Sequence, residues 1–482
     1  MKKFTKLLLW LILGIAIAQF GLGINPAVAR TAAHYTELEF PPLPELTIPD
    51  YERYELDNGM VVYLMEDHKL PLIQGTALIK IGSRWEKPQQ VGLAELTGIT
   101  WRSGGTKYHS PTEINLLLED QAAIIESSIG ISLGNVSFNA LSSDIETILP
   151  LFGEIIRYPD FDAQQVTIAK TRIEGGIARR NDNPGAIANR EFNKLIYGED
   201  SPYARTVEYE TLKPLQRKDV IRFYQTYVHP EQVILGIIGD FETNQIKELI
   251  SATFADWSDS KVTKDLSIPV AQQKLLSGVY LVDQPQLTQS NIVLGHIGGE
   301  LQDPDYPTLS VLNGLLNGFG GRLFREVRSR QGLAYSVYGV WRPRYDYPGL
   351  FIAGAQTRSE TTVPLIESLK TEIDQIRTTP ITDAELDYAK NSILNSFVFE
   401  FEQPSQTLSR LMSYEYYGYP EDFIFTYQQQ VQNTTPEDIL RVAQTHLKPE
   451  NIVILVVGNQ SQIDPPLTSL ESLPKILEIS RS

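Results

Sequence analysis

The residues with the strongest chemistry in this 482-residue chain are spaced in ways that exclude several kinds of active site. There is no cysteine, so thiolate nucleophiles, thiolate metal ligands and disulfides are all ruled out. The six histidines, His34, His68, His109, His229, His296 and His446, include no pair at i, i+4, the spacing that lets one helical face hold a metal. Gly314, Gly318, Gly320 and Gly321 have the composition of a phosphate loop, but no strand precedes them and no Gly-Lys-Ser follows. They read as a turn between two helices. After them come Arg322, Arg325, Arg328 and Arg330, then Tyr335. Taken alone, these residues form a basic helix face and an alternating strand residue shared with Val337.

The elements that must position these groups belong to a large globular chain, 42% hydrophobic and 21% charged, long enough for two to four compact units. A net charge of −17 argues against a nucleic-acid partner. That acidity favours basic peptides by electrostatic steering. The N-terminus has a positive start at Lys2, Lys3 and Lys6, an apolar run from Leu7 to about Leu22, and Ala27-Val28-Ala29 as a small-residue cleavage signal. The apolar run is shorter than the roughly 20 residues that cross a bilayer. Residues 1–29 are therefore expected to be a signal peptide, with cleavage near Ala29 and a periplasmic or extracellular product. A retained N-terminal membrane anchor is the alternative.

A long repeat organises the rest. Residues 219–231 (DVIRFYQTYVHPE) match residues 438–450 (DILRVAQTHLKPE), and each stretch leads into a buried-type strand ending in glycine, at Gly239 and Gly458. That match is at a spacing of 219; at a spacing of 220, Ala169-Lys170 matches Ala389-Lys390, Pro184 matches Pro404, and Tyr197-Gly198 matches Tyr417-Gly418. This spacing far exceeds the roughly 20 to 50 residues of a solenoid repeat, so it marks two homologous domains. The spans expected are 40–257 and 274–465, joined by a polar linker at 258–273. Strands are predicted at 60–66 and 73–81, after an Asp57-Asn58-Gly59 turn. Ser110-Pro111-Thr112-Glu113, Ser143 to Glu146, Thr382 to Glu385 and Thr435-Pro436 mark helix starts. Strands and helices come in blocks, which predicts an α+β fold: two tandem domains, each a mostly antiparallel sheet with helices on one face.

Two motifs then bring a family into view. GLAELTGI at 92–99 stands where the pitrilysin or insulinase metallopeptidases carry their zinc helix, and GGRLFREVR at 320–328 with GLAYSVY at 332–338 resembles that family's second-domain signature. The resemblance spans nearly the whole chain after the leader and is closest to short two-domain bacterial members similar to mitochondrial processing peptidase subunits. The family's zinc helix reads His-x-x-Glu-His, two ligands on one helical face with the glutamate activating a water. Here those positions hold Glu95, Gly98 and Ile99, and the third ligand position falls on Gly176. Glu95 and Glu174 are the nearby acids, and carboxylates alone hold zinc poorly.

The second motif is complete. Family members use an arginine and a tyrosine seven residues later to hold substrate backbone and the oxyanion, a role suited to guanidinium and phenol donors, and Arg328 and Tyr335 match that spacing. Gly320 and Gly321 would contact substrate by the same likeness, and the strand near Ser132 to Asn139 would be the edge where an extended peptide adds. The resemblance thus implies a subunit inactive alone and binding no cofactor. It would lend Arg328 and Tyr335 to a zinc-bearing partner in a heterodimer that encloses extended peptides. Two other readings stay open: an autonomous zinc endopeptidase with atypical ligands, and a non-enzymatic peptide-binding or assembly protein.

Overall fold

The computed structural model describes residues 47–258, 266–470 and 474–479. The leader and residues 259–265 of the linker stretch lie outside these. The first half contributes strands β1 (Glu52–Glu55), β2 (Val61–Glu66), β3 (Leu72–Ile79), β4 (Ile124–Ile129), β5 (Gly134–Leu141) and β6 (Val233–Gly239). Its helices are α1 (Leu93–Ser103), α2 (Pro111–Asp120), α3 (Ile145–Arg157), α4 (Ala163–Arg179), α5 (Pro184–Tyr197), the one-turn α6 (Tyr209–Leu212), α7 (Arg217–Tyr227) and α8 (Thr243–Phe254). The second half contributes β7 (Gly278–Asp283), β8 (Gln289–Ile297), β9 (Val337–Arg342), β10 (Leu350–Arg358), β11 (Val453–Gly458) and β12 (Lys475–Ile476). Its helices are α9 (Tyr306–Leu316), α10 (Thr362–Thr378), α11 (Asp383–Phe399), α12 (Pro404–Tyr417), α13 (Phe423–Asn433) and α14 (Pro436–His446), with a π-helix at Phe324–Arg330. No helix among the described residues is long and apolar enough to cross a membrane.

The strand orders β1-β2-β6-β3-β5-β4 and β12-β7-β11-β8-β10-β9 repeat one topology, apart from the edge strands β1 and β12. Pairing is antiparallel except at β2–β6, β7–β11 and β7–β12. The expected α+β architecture of two tandem units is therefore present. Local signals hold where they were strongest: Ser110 and Glu113 form a capping box at α2, and Thr435 and Asp438 form one at α14. One expectation is corrected. The stretch 132–139 is not an edge, because β5 pairs with β3 on one side and β4 on the other; β4 is the free strand. The alternation in β5 reflects its two differently buried faces, which an interior strand shows as readily as an edge strand.

The central strands β6 (VILGIIG) and β11 (VILVVG) are buried along their whole length, so both sheet faces must be covered. One face of each sheet packs on helices of its own half. The other face packs on a helix from the opposite half. Ile187, Phe192 and Ile196 of α5 cover Val293, Ile352 and Leu455, while Leu408, Leu411 and Met412 of α12 cover Tyr63, Leu78 and Ile234. This reciprocal exchange joins the halves. The described end of the linker is also fixed, since Gln273 bonds the Asn451 carbonyl at 2.8 Å and accepts from the Ile297 amide at 3.0 Å.

Candidate functional site

Helix α1 is held at its start by Glu86, whose carboxylate accepts from the Ala94 amide at 2.5 Å, and along its length by Leu93, Leu96 and Trp101 in the core. Its inner face lies hard against β4. A Cβ on Gly98 would stand 2.5 Å from the Ile129 backbone nitrogen, and Ser127 donates to the Gly98 carbonyl at 2.7 Å. Backbone contact thus closes the position of the family's catalytic glutamate. Ile99 is half-buried and apolar, and Glu95 is exposed. Gly176 lies in α4, which Asp162 caps through the amides of Gln164 and Gln165 and which buries Val166, Ala169, Ile173 and Ile177.

Glu95, Ile99 and Gly176 do converge, as the family resemblance implies, on a cavity of about 470 Å³. The charged part of the remaining wall is cationic, with Arg172 and Arg179 from α4, then Arg180, and Arg190 from α5, and Thr206 adds a hydroxyl. The surrounding protein raises the Glu95 carboxyl above its ordinary value, and the Arg172 guanidinium partly offsets this. Arg180 is paired with Glu208 at 2.7 Å, and Arg190 with Glu191 at 2.7 Å and Asn181 at 2.8 Å. The guanidiniums of Arg172 and Arg179 make no hydrogen bond or ion pair among the described residues. These residues do not fit a zinc ion, because one carboxylate among four guanidiniums and an otherwise largely apolar lining offers neither the ligand number nor the charge. The sequence reading missed these arginines. Their signal was the i, i+7 spacing of Arg172 and Arg179 about Gly176 on one helical face.

The second motif forms a different kind of site. Arg322 and Arg325 both bind Glu385 of α11, at 2.9 and 3.1 Å, and Arg330 pairs with Glu326. Burial would raise the Glu385 carboxyl, but Arg322 and the Thr382 amide bring it down to about 2. Arg328 is the exception. Its guanidinium lies 4.5 Å from the ring centroids of both Phe324 and Tyr335, with no hydrogen bond among the described residues. Phe319, 81% exposed, meets Phe324 edge-on, and Tyr335 is 83% exposed. The wide π-turn sets this spacing, a distortion often found at functional positions. Gly320 and Gly321 lie behind the stack: the Gly320 amide donates to the Tyr388 hydroxyl at 3.0 Å, and a Cβ on Gly321 would meet the Asn317 carbonyl at 2.1 Å. Tight packing thus restricts both positions to a residue without a side chain. None of these residues lines the Glu95 cavity, so Arg328 and Tyr335 come together with each other but not with the first motif.

One cluster has a donor set like that of a metal site. Asp303, Asp305 and His446 place ligand atoms within 4.8 Å of one another. Arg441 binds Asp305 at 2.8 Å and His446 binds it at 2.8 Å, so the group is an ion-pair network tying α14 to the start of α9.

Two helix-exchanging sheets, with a zinc helix stripped of donors in one half and an arginine–tyrosine stack in the other, define a peptidase-like protein built on a metallopeptidase scaffold. Two profiles of one family match the chain: Insulinase (Peptidase family M16) over residues 67–206, and Peptidase M16 inactive domain over residues 214–393. The chain belongs to the insulinase (M16) family. It is 23% identical to the uncharacterized zinc protease YmxG of Bacillus subtilis, over 74% of this chain and 86% of that protein. It is 22% identical to the non-peptidase homolog YmxG of Helicobacter pylori, over 85% and 94%. The crystal structure of a peptidase M16 inactive domain from Pseudomonas fluorescens shares the fold with a TM-score of 0.76 at 23% identity, covering 85% of this chain and 98% of that one.

Proposed function

We propose that this chain is the non-catalytic subunit of an exported zinc peptidase pair, presenting Arg328 and Tyr335 to the active site of a zinc-bearing partner. The carrying observation is the state of Arg328. Of the four arginines in its segment it alone is kept out of ion pairs and is instead oriented by two rings at an exposed surface. A guanidinium so held is pre-oriented to donate to a peptide carbonyl and to the oxyanion that develops from it. The lack of donors at Gly98, Ile99 and Gly176 supports assigning the metal to the other chain.

The test measures zinc content and peptidase rate of the mature protein, alone and mixed with the zinc-helix chain encoded nearest to it. Alone it is expected to be inert and without stoichiometric zinc, while the mixture cleaves peptides faster than the partner does. Arg328→Ala is expected to lower kcat of the mixture by about 10²- to 10³-fold, the loss typical of removing one oxyanion donor. A partner equally active without this chain, or indifferent to Arg328→Ala and Tyr335→Phe, overturns the proposal.

A further inference from the structure

The duplicated fold provides an internal comparison for the cavity beside Glu95. In the second half the corresponding helices, α9 and α11, close on one another: a Cβ on Gly314 would stand 2.7 Å from the Ala389 carbonyl oxygen. In the first half α1 and α4 stand apart around about 470 Å³, and packing does not use the space. A Cβ on Gly175 or on Gly176 would meet nothing within 4 Å. Glycine is the poorest helix former apart from proline, so two in succession inside α4 are unfavourable, and no close helix approach here requires them. About one turn to either side of Gly176, Arg172 and Arg179 reach the same cavity. Neither guanidinium is in an ion pair, although Arg172 feels the Glu95 carboxylate, whereas Arg180 and Arg190 already have carboxylate partners at 2.7 Å. Apart from Thr206 the rest of the wall is apolar, formed by Ile99, Ile173, Ile177 and Val207, and Glu95 is its single acid.

We infer that the former metal position has become an anion site: the cavity binds a peptide carboxylate between Arg172 and Arg179, over the notch at Gly176. The neighbouring apolar side chain of the peptide lies against Ile99, Ile173 and Val207. Guanidiniums suit this ligand because their planar donors match a carboxylate's two oxygens. The site runs against the acidity of the chain as a whole, so it selects a local negative group on a peptide that the remaining surface draws in through its basic residues. The inference rests on the peptide-handling part of the proposed function and not on the partner.

The experiment is fluorescence anisotropy with the full mature chain alone, using labelled nine-residue peptides ending in leucine. One peptide has a free C-terminus, one is amidated, one is amidated with an internal glutamate, and one has glutamine in its place. Saturable binding is expected for a carboxylate-bearing peptide and not for the amidated glutamine peptide. The free-terminus and internal-glutamate arms tell which carboxylate the site takes. Arg172→Gln with Arg179→Gln is expected to weaken binding by about ten- to a hundredfold, the worth of charge-assisted hydrogen bonds. Glu95→Gln is expected to tighten it, and Arg358→Gln, an exposed arginine of the second half, to leave it unchanged. Equal binding of all four peptides, an unaffected double variant, or no binding up to about 1 mM overturns the inference. Because no partner is present, those outcomes leave the result of the mixing assay independent.

Discussion

His296 shows how a single side chain in this fold departs from its intrinsic chemistry. Its ring is buried beside Trp341 and Phe351, its Nδ1 lies 2.7 Å from the Ile297 carbonyl, and its Nε2 accepts from the Lys448 amide at 3.1 Å. Burial lowers its pKa to about 4, and the nearby Lys448 and His446 oppose its protonation while Glu450 favours it. The unfolded chain, with an ordinary imidazole, takes up the proton first. The stabilising contribution of the neutral ring is therefore complete above about pH 6.5 and is lost as the pH falls toward 4, by about 3 kcal/mol at 1.36 kcal/mol per unit. Urea unfolding of wild type and His296→Gln at pH 7 and at pH 4.5 checks this. The wild type is expected to lose more stability between the two conditions than the variant, and parallel losses would show that His296 is not the group responsible.

At the scale of elements, two glycines in helices that meet at one cavity are expected to respond to the same substitution with opposite signs. Gly98 lies where α1 contacts the β4 backbone, so Gly98→Ala forces a methyl against Ile129 and is expected to cost about 1–3 kcal/mol. Gly176 faces open space, so Gly176→Ala is expected to stabilise α4 by up to about 1 kcal/mol through helix propensity and reduced freedom of the unfolded chain. Thermal unfolding of the two variants decides the matter, and a shift of the same sign in both would contradict this view of the helix packing. By the same geometry, writing the zinc motif back into the chain is expected to meet an obstacle at Gly98 and none at Gly176.

For the whole molecule, the joint between the halves combines apolar packing with polar contacts, a partly exposed one at Arg53–Glu415 (2.7 Å) and a buried one at Arg84. Arg84, from the loop after β3, is nearly inaccessible at 2% side-chain exposure and pairs with Asp346 of the second half at 2.6 Å, with the Ser132 hydroxyl at 3.2 Å. Removing one partner leaves an uncompensated buried charge, so Asp346→Ala is expected to cost about 3–5 kcal/mol. The pair Arg84→Met with Asp346→Leu is expected to recover much of that loss, since apolar replacement of both partners avoids the desolvation penalty. Denaturant unfolding of the single and double variants measures this, and a double variant less stable than the single would show that the ion pair itself holds the joint.

Much of this was legible in the chain because it depends on local chemistry. The duplication, the capping box at Ser110 and the apolar runs of β6 and β11 follow from residue types at fixed spacing, where helix and strand periods dictate which side chains share a face. The convergence of Glu95, Ile99 and Gly176, the missing zinc donors and the retained Arg328–Tyr335 spacing were readable through the resemblance to the family's two motifs. Tertiary structure decided the rest, because it depends on which surfaces meet. Alternation in Ser132 to Asn139 could not distinguish an interior strand from an edge. Nothing local reveals that α5 and α12 cross to the opposite sheets, that Glu385 engages Arg322 and Arg325 but leaves Arg328 to its two rings, or that Gly98 is closed while Gly176 is open. Those outcomes are set by distances between segments far apart in sequence, which no period within either segment records.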